Sequence, residues 1–129
     1  MDSIPEVVRY CHVVLQVRRL TLEQLREHHV GGPLGRDTDV TGVYNAHAGW
    51  VAVAEPSAIV PFSAWSAFFH EVAHEAENQA GQVFKEGEVD LMGMMVLNLL
   101  LGNPGLQDRV MHDLGGENGG TILSGGPIE

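Results

Sequence analysis

Cysteine is almost missing from this chain. Cys11 stands alone, so no internal disulfide can form and nothing signals an oxidising compartment. Basic residues are scarce too: seven Lys and Arg against seventeen Asp and Glu, a formal net charge of −10. That balance has the wrong sign for a phosphate backbone or for anionic lipid, so neither nucleic acid nor a membrane is an expected partner. No run is long enough to span a bilayer. The most apolar one, Val89 to Leu101, is short and is interrupted by Asp90 and Asn98. The opening MDSIPEVVRY lacks the basic region and small-residue cleavage site of a signal peptide, and a soluble, cytoplasmic protein is the expectation. Internal repeats, a glycine-rich phosphate loop, zinc-binding cysteine pairs and a G-x-S-x-G elbow are all absent.

What remains is a chain of 129 residues, 44% apolar, which suffices for one domain with one core. We expect a single compact domain over 1–114 and a flexible tail over 115–129, where the sequence GGENGGTILSGGPIE is too glycine-rich to hold a conformation unaided. Ser3 with Glu6 reads as a capping box, and Ile4, Val7, Val8, Cys11, Val14 and Leu15 recur at helical spacing, predicting an N-terminal helix. Thr21 with Gln24 repeats the capping pattern ahead of a short helix that turns Leu22 and Leu25 inward. Gly31, Gly32 and Pro33 stop it, and residues 34 to 41 read as loop. From Gly42 to Ala54 the sequence favours one bent strand or a small hairpin turning at Gly49. Trp50, Ala52 and Ala54 then share one face and Val51 and Val53 the other. A helix capped by Ser63 and running to about Ala80 follows, then another over about Glu88 to Leu101. The second is apolar nearly all round and so is expected at the centre of the fold. A short helix from Leu106 to Leu114 closes the reading. The fold class is α+β: mostly helical, with a small sheet packed against the helix around His70 and a following glutamate-bearing helix.

The chemistry concentrates in FFHEVAHE, residues 68 to 75. His70 and His74 are four apart and on a helix point the same way, so both imidazoles could reach one zinc ion. Glu71, rotated about 100° from His70, is placed to handle a proton beside the metal rather than to bind it. A third protein ligand is needed. Glu88 is the first choice because it opens the apolar helix, with Glu86 and Asp90 as alternatives two residues to either side. Glu75 and Glu77 read as solvated charges, one of which could support an imidazole. Tyr44, His47, His28, His29 and His112 are candidates to donate to a developing oxyanion, and the strand around Trp50 to Val53 could pair with an extended peptide.

HEVAH within FFHEVAHEAE resembles the active-site helix of the zincin metallopeptidases, and EGEVDLMGMMVLNLLLG is similar in layout to the glutamate helix of the gluzincin group. Small members include the ImmA/IrrE-like peptidases and the zincin domain of antirestriction proteins. The resemblance spans roughly residues 42 to 102 and departs from the pattern at Glu75, a position ordinarily uncharged in such peptidases. It implies a zinc-dependent peptidase acting on a narrow range of protein substrates. His70, His74 and Glu88 would be the metal ligands and Glu71 the base. The competing expectation is a non-enzymatic acidic interaction or regulatory protein on a similar scaffold. Two histidines and a carboxylate would also hold non-haem iron. The apolar helix could be covered within the chain or in a homo-oligomer.

Overall fold

A computed structural model of the chain describes residues 2–28 and 40–115. Its elements stack as layers: a short helix, a four-stranded sheet, a long helix, and a second long helix outermost. The expectations for residues 29–39 and 116–129, including His29 and the C-terminal tail, lie outside the described residues.

The N-terminal segment is a β-hairpin and not the expected helix. Strands β1 (Val7–Tyr10) and β2 (Val13–Leu20) pair antiparallel across Cys11 and His12, with Cys11 in the left-handed region at φ 55°. Five of the residues in these strands are valine, whose branched Cβ favours the pleated surface. Burial in β2 alternates strictly: Leu15 and Val17 are covered while Val14, Gln16 and Arg18 are exposed. The same apolar positions also satisfied a helical period. Ser3 and Glu6 form no cap; the Glu6 carbonyl instead accepts the Val17 N–H at 2.8 Å. Arg19 ties this corner down, bonding Asp2 through both guanidinium ends and the Ala54 carbonyl from Nε and Nη2.

Helix α1 (Leu22–His28) opens with the reciprocal Thr21–Gln24 cap and buries Leu25 fully. The Gly42–Ala54 stretch is a hairpin, β3 (Gly42–Asn45) and β4 (Trp50–Ala54), reversing at Gly49 with φ 76°. Strand order is β1-β2-β4-β3, with β2 and β4 parallel and both outer pairs antiparallel. All of β4 is buried. Its Trp50, Ala52 and Ala54 meet Leu25 on one face, while Val51 and Val53 join Leu15, Val17 and Phe68 on the other. Because β4 lies inside the sheet, it cannot offer the free edge expected around Trp50 to Val53; β3 is the outer strand on that side.

Helix α2 (Pro61–Ala80) starts at Pro61, where a missing N–H costs nothing, and ends at Gly81 in the left-handed conformation (φ 68°). It lays Ala64, Ala67 and Phe68 on the sheet. Helix α3 (Glu86–Gly102) packs on the far side of α2 and not at the centre of the fold. Only Val89, Gly93 and Leu97 are buried; Leu91 is 69% and Leu101 61% exposed. A short helix α4 (Leu106–Val110) continues as a π turn through Gly115.

The α2–α3 contact is closest at Gly93. A Cβ there would lie 3.0 Å from the His70 backbone nitrogen and 3.2 Å from the Phe69 carbonyl carbon. Gly93→Leu is therefore expected to lower unfolding free energy by about 1–3 kcal/mol, read from the denaturant midpoint. Gly93→Ala should cost less, because a gain of about 1 kcal/mol in helix propensity opposes the crowding. Equal stability of Gly93→Leu and wild type would refute this close approach.

Candidate metal centre

Successive residues of α2 serve two neighbouring layers. His70 and His74 face the start of α3, while Glu71 and Glu75 face β3 and are 7% and 4% exposed. Strand β3 turns alternate residues toward α2. Its Gly42 sits over Glu71, and its Tyr44 donates a hydrogen bond from its hydroxyl to Glu75 Oε1 at 2.6 Å. Gln79, one turn on, donates to the other Glu75 oxygen at 2.7 Å and also reaches the Tyr10 carbonyl. Glu75 is thus a bonded, buried carboxylate and not a solvated charge.

The two imidazoles converge on one carboxylate oxygen. His70 Nε2 and His74 Nε2 each lie 3.1 Å from Glu86 Oε1. Their other nitrogens are held from behind. His74 Nδ1 is 2.9 Å from Glu77 Oε1, and His70 Nδ1 is 3.4 Å from Asp90 Oδ1. Glu77 is pinned in turn by the Phe84 N–H, and that bond, with the one to His74, holds its carboxyl below the usual range. Carboxylates at Nδ1 fix the ring orientation and the tautomer that leaves Nε2 as ligand. Tyr44 lies nearly parallel to the His74 ring, with centroids 6.0 Å apart.

Among the described residues, His70, His74 and Glu86 offer ligand atoms all within 4.8 Å of one another. Bonds of 2.0–2.1 Å to a tetrahedral zinc would place such atoms about 3.3 Å apart, close to the 3.1 Å between each Nε2 and the Glu86 oxygen. The donor set fits a divalent ion. The carboxylate brought to the histidines is Glu86, the first residue of α3, rather than Glu88. Glu88 accepts the Lys85 N–H at 2.8 Å and caps the helix, and Asp90 lies behind His70. Separating Glu86 from Glu88 in the sequence would have required knowing that α3 begins two residues earlier than its apolar run.

Glu71 lies beside this group. Burial, and then the negative charge of Glu86, push its carboxyl up to about 8. Among the described residues no hydrogen bond compensates it. Gly42 makes its room: a Cβ there would stand 2.9 Å from Glu71 Cγ and Oε2. The other candidates are dispersed. Tyr44 is committed to Glu75, His28 packs edge-on to Trp50, His47 is exposed in the β3–β4 turn, and His112 lies in the π turn after α4.

Fold and site together define a small α+β protein carrying a candidate metal-binding cluster between two helices. Compared with known proteins, the chain matches no family model, no curated protein and no solved structure.

A buried acid whose folded pKa is raised gives a defined pH response. Stability is fully present below the ordinary value of 4.5 and falls as pH rises, the loss being complete once pH has passed about 8. In chelator, wild type should lose up to about 1.4 kcal/mol per pH unit across that window, and Glu71→Gln should flatten the slope. Denaturant midpoints from pH 4 to 9 test this; parallel curves for the two proteins would contradict it.

Proposed function

We propose that this chain is a small zinc-dependent peptidase, with His70, His74 and Glu86 as ligands and Glu71 as the residue that carries the proton. One observation supports this above the rest. Two imidazole nitrogens meet a single carboxylate oxygen at ligand spacing, next to a buried carboxyl that has no hydrogen-bond partner among the described residues. A buried carboxyl with no hydrogen bond is costly, and a chain retains one where it has chemistry to do.

Zinc in that position supplies Lewis acidity toward a carbonyl oxygen and toward water. The protein does the rest. Glu71, in a pocket that Gly42 leaves open, accepts the proton lost by the attacking water and returns it to the departing amine. Glu77 and Asp90 hold the imidazoles in their ligating orientation. Strand β3, paired on one side only among the described strands, offers its outer edge to an extended peptide, which main-chain hydrogen bonds would align over α2. A protein substrate in the cytoplasm suits such a site. A second reading, a non-enzymatic interaction protein on this scaffold, is favoured by the exposed apolar side of α3.

Metal content and cleavage of a peptide library separate the readings. Wild type should bind one zinc and cleave. His70→Ala and Glu86→Gln should each weaken zinc binding at least tenfold. Glu71→Gln should keep the metal and lose cleavage by 100-fold or more. Glu88→Gln should keep both, because its amide oxygen still accepts the Lys85 N–H and preserves the cap. Zinc loss in Glu88→Gln with retention in Glu86→Gln would reverse the ligand assignment. Iron in place of zinc would redirect the chemistry to that metal, and a folded wild type that takes up neither would leave the interaction reading.

A further inference from the structure

Beyond the metal cluster, an extended apolar surface has no neighbour among the described residues. Helix α3 is held to α2 along Val89, Gly93 and Leu97, and its outward side shows Leu91, Met95, Leu99 and Leu101 to solvent. From Leu91 to Leu106 there is no ionisable residue, although the chain as a whole carries −10. Exposed apolar surface on that scale marks an interaction site.

The segment Leu106–Gly115 makes the same demand from the other side. It turns 97° away from α3 and among the described residues packs against no other element beyond grazing contact, and Val110, Met111 and Leu114 are about half exposed. A helix this short is not stable in water by itself and needs a surface to lie on. Among the described elements it makes no substantial contact with α3 of its own chain.

The geometry points to a second copy of this chain as the occupant: the α4 arm of each copy lies on the outward face of α3 of the other, in a two-fold symmetric dimer. Reciprocal exchange satisfies both apolar surfaces at once and closes the assembly at two copies. The exposed apolar side chains of α3 and the arm offer on the order of 800 Å² per copy, which is what one partner contributes to a standard interface. Because the α3 side is uncharged, two chains of net charge −10 can meet there without placing like charges in contact. The metal cluster lies at the other end of α3, at Glu86, and stays open.

Sedimentation equilibrium of the full chain tests this. Wild type should run at twice the 14.0 kDa chain mass. Leu99→Glu and Met111→Glu should each halve that mass while leaving the circular dichroism spectrum and zinc binding unchanged. Should either variant fail to fold, a mixture settles the matter: Leu99→Cys and Met111→Cys, both also carrying Cys11→Ser, should form a disulfide between unlike chains on mild oxidation. A wild type monomeric at its highest soluble concentration would overturn the proposal. So would a monomer that co-sediments with neutral phosphatidylcholine vesicles, since α3 and the arm together have the apolar length of a bent membrane segment.

Discussion

Helix α2 carries two kinds of chemistry on adjacent stripes, and the packing on either side of it must match both. Four residues of helix rise about 6 Å, and two residues of strand about 6.6 Å. Gly42 and Tyr44, alternate residues of β3, can therefore meet Glu71 and Glu75, one helical turn apart, without either element bending. Rotating about 100° along the same helix brings His70 and His74 to the start of α3. On that side the distance is set by a glycine: with only hydrogen at Gly93, α3 comes close enough for Glu86 and Asp90, seven and three residues earlier, to reach the imidazoles.

Charge gives this packing its purpose. Glu71, Glu75, Glu77, Glu86 and Asp90 crowd around two histidines, with no lysine or arginine bonded to any of them among the described residues. Glu75 is compensated by Tyr44 and Gln79, and Glu77 by the Phe84 N–H and His74. Glu71 has no such partner among the described residues, and burial first, then the charge of Glu86, raises its carboxyl. A divalent cation among His70 Nε2, His74 Nε2 and Glu86 Oε1 would offset that charge. A cation there would relieve Glu71 as well, because it would neutralise the Glu86 charge acting on it.

Much of this was legible from residue order alone. The HExxH spacing, the division of β4 into two apolar faces, the Thr21–Gln24 cap and the Gly81 stop depend on local geometry, which the sequence carries directly. The N-terminal hairpin was not legible in that way. Residues 4 to 18 place apolar groups at positions that satisfy both a period of two and a period of 3.6, and only the abundance of valine favoured the strand. Glu86 was eclipsed by Glu88 because a helix start cannot be located to two residues from its apolar run. The burial of Glu75 depends on a tyrosine 31 residues away, and no local signal could have announced it.

The all-round apolarity of α3 has a different explanation from the one it first suggests. A helix apolar on every side is ordinarily enclosed by its own domain. Here the order of layers forbids that. The sheet has two faces, one taken by α1 and the other by α2, so α3 packs on the back of α2, its one substantial neighbour among the described elements. Its inward side needs the small and apolar residues that bring Glu86 to the histidines, which accounts for Val89, Gly93 and Leu97. Nothing in that role requires leucine at 91, 99 and 101. Those positions, like the apolar side of the arm that follows, meet no surface among the described residues, and the proposed second copy would supply one.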